Sequence, residues 1–534
     1  MSSPKNYATC VREFRWNLPA RYNMGVACSD AHADGSGRTA LIFVEDNGAV
    51  TRYSFDDLSR LSNRFANVLV AAGLTRGERM AVYLPQAPET AIAHLAAFKA
   101  GLISLPLFTL FGDEALEYRL QASGAKALVT DPSGFAKLTR IRDRLPALTH
   151  VYVTGADTGG ALSFDQVLEA ASDRFTPVDT ALDDPGIIIF TSGTTGNPKG
   201  ALHGHRVLLG HLPCLQFTHE DMPQPGDLHW TPADWAWIGG LFDVLLPSLH
   251  LGVPVLAHRA KKFDPDAAMA LMANHRVRNV FLPPTALKLL RQADVRHKGL
   301  ALRSLLTGGE TLGSELGAFV RERLGVEARE IYGQTECNLV VGSNSSYFPI
   351  RPGAMGKPIP GHDVRVVDAN GMELPPGTQG HIGIRRGDPV MMLEYWNNPE
   401  ATAAKFAGDF LLTGDLGRQD EDGYLWYVSR SDDVITSSGY RIGPGEIEDC
   451  ILKHPAVAMV GVVGIPDPLR TEAVKAWVVL KPGIAGSDDL AADIQHHVRE
   501  RLAAHEYPRI VAFTDALPMT ATGKILRREL RTLG

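Results

Sequence analysis

Cysteine is scarce in this chain of 534 residues: Cys10, Cys28, Cys214, Cys337 and Cys450 are scattered, odd in number and never spaced Cys-x-x-Cys. That excludes a disulfide framework and a thiolate zinc site, and it fits a reducing compartment. Basic charge is not in excess either. Lys and Arg number 53 against 60 Asp and Glu, for a formal net charge of −7. Nucleic acid and anionic membrane surfaces ordinarily call for a basic patch, so neither is an expected partner. No apolar run reaches membrane-spanning length, and the first residues lack the apolar core of a signal peptide. Internal repeats and low-complexity segments are missing too. The absences together read as a cytoplasmic protein without membrane insertion. His203, His205, His211 and His219 crowd one stretch, but their spacing is not that of a zinc site.

What is present is enough apolar sequence, 45%, for sizeable cores, in a length that suits about two to four folding units. Phe55, Leu58, Leu61, Phe65, Val68 and Leu69 share one helical face, with Ser54 as N-cap and Gly73 as the stop. Strand-like runs follow at Met80–Leu84, Ala127–Thr130, Val151–Val153, Ile187–Phe190 and Val280–Leu282, alternating with helical patterns such as Pro88–Ala100. That alternation predicts an α/β architecture with largely parallel sheets. From about Tyr347 to Tyr427 the texture turns to short strands and Gly/Pro turns, a β-rich subdomain. A boundary at Ser431/Asp432 then separates residues 1–431, the large N-terminal domain, from residues 432–534, a small α+β domain.

The run Ile187–Gly200 carries the most chemistry. An apolar strand empties into Thr191, Ser192, Gly193, Thr194, Thr195 and Gly196, and then Lys199. Glycines let backbone bend around a phosphate, hydroxyls and N–H groups donate to it, and the lysine adds a point charge. The spacing is not that of a Walker A loop, and such a loop in isolation also reads as an ordinary turn. Tyr332-Gly333-Gln334-Thr335-Glu336 offers an aromatic face, a hydroxyl and a carboxylate. Thr413-Gly414-Asp415, Arg430–Asp433, Ser438–Glu446 and Pro518–Lys524 follow in order. Singly, Glu336 reads as a first-turn carboxylate, Asp415 as a turn residue and Lys524 as part of a solvated helix face.

The ordered set resembles the adenylate-forming superfamily of acyl-CoA synthetases, peptide-synthetase adenylation domains and luciferases, over nearly the whole chain. The resemblance implies activation of a carboxylic acid with ATP to acyl-AMP, then transfer to CoA with release of AMP. It implies that Thr191–Gly196 and Lys199 hold the ATP phosphates, with Gly309 and Glu310 in the same nucleotide site. Tyr332 is expected to pack on adenine, Thr335 to bond the α-phosphate and Glu336 to ligate Mg²⁺. Asp415 and Arg430 are expected at the ribose, Arg441 at the phosphates or the C-terminal domain, and Lys524 across the carboxylate and α-phosphate. The small domain is expected to be mobile, pivoting at Asp432, with Ser438, Gly439 and Tyr440 in the CoA tunnel. The tail further resembles those in which lysine acetylation silences the enzyme, which implies an acetyltransferase and a deacetylase acting on Lys524.

Ala233–Gly240 is similar to acetyl-CoA synthetases, where a tryptophan preceding Gln-Thr-Glu closes the acyl pocket. Here that position is Gly333, with Gly308 and Gly239 replacing two further larger residues and Trp237 and Ile238 as apolar walls. The comparison implies an opened pocket for a medium-chain, branched or aromatic acid, as in medium-chain acyl-CoA synthetases; Gly333→Trp is then expected to narrow it toward acetate. The chain runs only ten residues past Lys524, so CoA is the expected thiol, with a separate carrier protein or a non-catalytic nucleotide binder as alternatives. If Lys524 serves adenylation alone, Lys524→Ala abolishes pyrophosphate release from ATP and acid but spares thioester formation from supplied acyl-AMP. Equal loss of both half-reactions would contradict that division of labour.

Overall fold

A computed structural model of the chain describes residues 6–155, 159–191, 198–259, 262–310, 312–431, 433–437, 440–467, 471–502, 507–520 and 524–533. They form two compact units, one of residues 1–363 with 385–405 and the other of residues 364–384 with 406–534. Compactness therefore groups much of the β-rich stretch with the C-terminal residues, whereas the sequence reading runs the first domain on to Ser431.

In the first unit one sheet runs, in spatial order, Glu394–Tyr395, Lys199–Gly204, Pro185–Thr191, Ile103–Pro106, Arg79–Tyr83, Ala127–Thr130, His150–Val153 and Leu162–Ser163. Its middle strands are parallel, and Pro185–Thr191 and Lys199–Gly204 form an antiparallel ladder. Ile187, Ile188, Ile189 and Phe190 are all buried, and each such side chain contributes about 1.5–3 kcal/mol of transfer free energy. A second run of strands carries, in order, Ala354–Pro358, Cys337–Gly342, Ala328–Gln334, Ser304–Gly308, Asn279–Phe281, His229–Trp230, Val255–His258, Thr39–Val44 and Val50–Ser54. The second unit holds the antiparallel strands Val364–Val367, Gln379–Arg385, Phe410–Gln419 and Leu425–Arg430, and a separate sheet built on Val457–Asp467 and Thr471–Leu480. The expected α/β class is borne out.

Local chemistry explains the element ends. Ser54 and Asp57 form a reciprocal capping box, each side chain accepting from the other's backbone N–H at 3.0 Å, and start helix Phe55–Ala71. Its buried face is Phe55, Leu58, Ser62, Phe65, Ala66 and Leu69, so the face is set one residue past Leu61. Helix Pro88–Lys99 is buried nearly all round, with Lys99 included: its ammonium meets Asp30 at 2.6 Å and Ser62 Oγ at 2.8 Å. A buried cation is tolerated because it is paired and bonded.

The crowded histidines are interior side chains. Burial pulls His203 and His205 down to about 4, His211 to about 3 and His219 well below the ordinary imidazole range. His94 and His229, also buried, lie at about 3. All six are neutral in the folded chain at pH 7. An unfolded histidine takes up its proton near pH 6.5, so the unfolded state binds more protons below that point and stability falls as pH falls. The cost is about 1.4 kcal/mol per histidine for each pH unit below 6.5 until the folded value is reached. Urea unfolding is therefore expected to show a steep loss of stability between pH 6.5 and 5; a flat profile there would contradict the burial of neutral imidazoles.

Candidate active site

The ladder Pro185–Thr191/Lys199–Gly204 positions the first charged group. Thr191 pairs with Lys199 at its end, and Glu394–Tyr395 adds to the other edge of Lys199–Gly204, with Tyr395 opposite Ala201. The Lys199 ammonium then lies 5.3 Å from the centroid of the Tyr395 ring. The Tyr395 hydroxyl donates to Glu336 Oε1 at 2.5 Å, and the Glu336 carbonyl accepts from Met392 N–H at 2.8 Å. Glu336 is only 8% exposed. Tyr395 was not a candidate in the sequence; it sits in a two-residue strand remote from every motif, and only the edge pairing brings it to Lys199 and Glu336. Ser192, Gly193, Thr194, Thr195 and Gly196 lie outside the described residues.

Thr335 and Glu336 form the tight connection between strands Ala328–Gln334 and Cys337–Gly342, and Lys405 Nζ donates to Gln334 Oε1 at 3.0 Å. Tyr332 is half-buried on the first of these strands. Gly309 has φ +91°, a left-handed conformation that glycine alone adopts without strain, with open space around a would-be Cβ. It delivers Glu310, whose carboxylate accepts from Thr285 Oγ1 at 3.0 Å and from Lys288 Nζ at 2.9 Å.

Trp237 is half-buried in an aromatic cluster, 5.2 Å from Phe108 and 6.0 Å from Phe111 between ring centroids. Its loop is held by buried Gln86, which donates to Thr231 O at 3.0 Å and Ala233 O at 2.6 Å. Asp234 accepts from Ala236 N–H at 2.7 Å, and burial pushes its carboxyl up to about 6. Ile238 opens a short helical segment, Ile238–Gly240, that passes into the wider π-helical turn Leu241–Leu245.

The three glycines expected to open the pocket do something else. A Cβ on Gly333 would fall 2.3 Å from Leu339 N and 2.7 Å from Asn338 Cα. One on Gly308 would fall 2.5 Å from Ile331 O. These two are glycine because neighbouring backbone approaches too closely for any side chain, so the expectation that they vacate cavity volume is corrected. At Gly239 the space is refilled by Phe281, 3.1 Å from a would-be Cβ, and by Asp243 Oδ2 at 3.5 Å.

In the second unit Asp415 pairs with Arg430 across strands Phe410–Gln419 and Leu425–Arg430, Arg430 Nη1 donating to Asp415 Oδ1 at 3.4 Å. Gly414 has φ +82°, and Asp415 N–H donates to Thr413 Oγ1 at 3.1 Å, which fixes the buried carboxylate. Asp432, Ser438 and Gly439 lie outside the described residues. Tyr440 and Arg441 are on strand Tyr440–Ile442. Asp433 accepts from Arg527 at 3.1 Å and Arg531 at 3.4 Å, and Arg527 also meets Glu448 at 2.6 Å. Lys524 is exposed, its N–H donating to Thr520 Oγ1 at 3.0 Å and its carbonyl accepting from Thr520 N–H at 2.8 Å.

In the first unit Lys199 and the buried Glu336 carboxylate meet through one tyrosine, and in the second unit Lys524 is exposed. A family model for AMP-binding enzymes matches residues 29–396, and one for their C-terminal domain matches residues 446–524. The chain belongs to the AMP-binding enzyme family. It is 38% identical over 529 residues to acyl-coenzyme A synthetase ACSM4, mitochondrial, of Rattus norvegicus, covering 96% of this chain and 91% of that protein. To acyl-coenzyme A synthetase ACSM3, mitochondrial, of Mus musculus it is 35% identical, covering 98% and 93%. A benzoate CoA ligase from Burkholderia xenovorans LB400 superposes with TM-score 0.83 at 27% identity, covering 96% and 100%. These relatives bear out the expected enzyme class, an AMP-forming acyl-CoA synthetase. The expected cytoplasmic location is overturned by the same names, since both curated relatives are mitochondrial. Among the described residues no helix is long and apolar enough to cross a membrane.

With backbone 2.3 Å from its would-be Cβ, Gly333→Trp is expected to lower the thermal midpoint sharply and abolish activity on every acid. A stable variant with a clean shift to acetate would restore the open-pocket reading.

Proposed function

We propose that this chain activates a medium-chain, branched or aromatic carboxylic acid through the residues gathered around Tyr395, and that CoA is the thiol acceptor. The observation that carries the reading is the cluster in which one tyrosine contacts both Lys199 and Glu336. Lys199 supplies a compact positive charge where pyrophosphate departs. Tyr395 holds the Glu336 carboxylate by its hydroxyl, so the anion is oriented before nucleotide arrives. Glu336, one buried carboxylate beside the Thr335 hydroxyl, offers the hard oxygen donors that suit Mg²⁺ shared with substrate phosphates, and the ion when bound neutralises phosphate charge.

In the first half-reaction a carboxylate oxygen of the acid attacks the α-phosphorus and the bond to pyrophosphate breaks. Lys524, exposed and cationic, supplies charge to the carboxylate and α-phosphate oxygens at that moment. Asp415, held beside Arg430, receives the ribose hydroxyls, and Tyr332 offers its ring to adenine. In the second half-reaction the thiolate attacks the acyl carbonyl and the bond to AMP breaks. The step requires Lys524 to leave, which a pivot at Asp432 provides; Arg441 and the Ser438–Tyr440 turn then serve the second arrangement. An exposed Lys524 is also accessible to an acetyltransferase, which would remove its charge.

AMP formation from Mg-ATP and CoA across acetate, butyrate, hexanoate, octanoate and benzoate tests the reading. Turnover that peaks beyond propionate supports it, and pyrophosphate release without a CoA thioester indicates a carrier protein as acceptor. Tyr395→Phe keeps the ring under Lys199 and removes the bond to Glu336. It is expected to lower kcat/KM for ATP about tenfold while sparing thioester formation from supplied acyl-AMP. An unchanged kcat/KM would remove Tyr395 from the mechanism.

A further inference from the structure

Three consecutive carbonyls around Lys199 each accept a hydrogen bond from a different part of the first unit. Pro198 O accepts from the Tyr118 hydroxyl at 3.0 Å, Lys199 O from Thr191 Oγ1 at 3.4 Å, and Gly200 O from Trp396 N–H at 2.7 Å. The second bond belongs to the ladder described above, and the third comes from the residue that follows the edge strand Glu394–Tyr395. The first is of another kind. Tyr118 lies on helix Asp113–Ser123, 80 residues upstream of Pro198, and no motif points to it.

The Tyr118 bond completes the backbone geometry of the residue before the lysine. The pyrrolidine ring holds φ of Pro198 at about −65°. The remaining torsion, ψ, turns the Pro198 carbonyl, and the Tyr118 hydroxyl holds that carbonyl. With both set, the peptide that carries the Lys199 N–H has one orientation, and the side chain leaves the strand toward the Tyr395 ring, 5.3 Å from its ammonium. Tyr118 also touches the other strand: its ring meets Phe190 edge to face, with centroids 6.3 Å apart. Phe190 stands opposite Gly200, one place from the Thr191–Lys199 pair. Packing on Phe190 asks only for a ring, as phenylalanine would supply; what tyrosine adds is the bond to Pro198. The helix itself is fixed to the same frame. At its C-terminal end Arg79 donates to Ser123 O at 2.7 Å and Gly124 O at 2.9 Å, and the same guanidinium lies 5.4 Å from the Trp396 ring.

We infer that Tyr118 is a positioning residue for Lys199, holding the lysine where it meets the β- and γ-phosphates of ATP. This rests on the reading above that Lys199 faces the departing pyrophosphate. A group already held in place binds its ligand without the ordering cost that a loose one carries. AMP has no β- or γ-phosphate, so its binding does not draw on Lys199 and is indifferent to Tyr118. A residue that merely stabilised the fold would affect both nucleotides alike.

Isothermal titration of the full chain with Mg-ATP and with AMP reads the difference. Tyr118→Phe keeps the ring on Phe190 and removes the bond to Pro198. It is expected to weaken Mg-ATP binding about fivefold, with AMP affinity and thermal midpoint close to those of the wild type. Lys199→Ala is expected to lose ATP affinity in the same selective way, and Tyr118→Phe added to it to cause no further loss. Wild-type affinity for Mg-ATP in Tyr118→Phe, an equal weakening of ATP and AMP, a collapse of the thermal midpoint, or a further loss on top of Lys199→Ala would each overturn the inference while leaving the role of Lys199 intact. Wild-type ATP affinity in Lys199→Ala, or no Mg-ATP binding by the wild-type chain, would overturn the phosphate role of Lys199 and this inference with it.

Discussion

The antiparallel ladder between Pro185–Thr191 and Lys199–Gly204 is the constraint on which the first unit's site depends. One strand is anchored by Ile187, Ile188, Ile189 and Phe190 in the core, so its partner cannot slip without turning buried side chains to the wrong face. That fixes where Lys199 emerges. The partner's outer edge then binds Glu394–Tyr395, a strand too short to be stable alone, and Tyr395 inherits its place from the ladder. Glu336 is located last, by accepting from Tyr395. Hydrophobic burial at one end of this chain of dependencies thus sets an electrostatic distance at the other.

The ionic groups of the two units are arranged on different principles. Around Lys199 and Glu336 the charges are separated by a neutral ring and hydroxyl, which keeps a cation and an anion close without letting them neutralise each other. At Asp415 and Arg430 opposite charges face each other directly across a ladder at 3.4 Å. The first arrangement keeps the cation and the anion apart through a ring and a hydroxyl; the second pairs them directly. Both follow the general rule that buried ionic groups persist only with partners that satisfy them.

Much of this was legible in the residues. Strands Ala127–Thr130 and Ile187–Phe190 declare themselves by apolar, β-branched runs, and Ser54 with Asp57 marks a helix start by hydrogen-bond chemistry alone. Five ordered motifs gave the family. What could not be read were relations with no local signature. Tyr395 has no motif, and only its pairing beside Lys199–Gly204 brings it to Lys199 and Glu336. The glycines misled for a physical reason: a missing side chain signals either vacated volume or a backbone packed close, and only the fold distinguishes them. At Gly308 and Gly333 it is the backbone. Location was misread because composition reports redox chemistry, which more than one compartment shares.

The ion network around Arg527 bears on transmission. Arg527 grips Asp433 and Glu448 at once, Arg531 grips Asp433 again, and Lys524 is only three residues upstream of Arg527. The segment after Asp432 and the tail carrying Lys524 are therefore clamped to each other although nearly a hundred residues separate them in sequence. A displacement of the segment at Asp433 is thereby shared with the helix Arg527–Thr532 that follows Lys524. A lysine on a loose tail would wander by diffusion of its own chain; beside this clamp, its position is tied to that of Asp433 and Glu448.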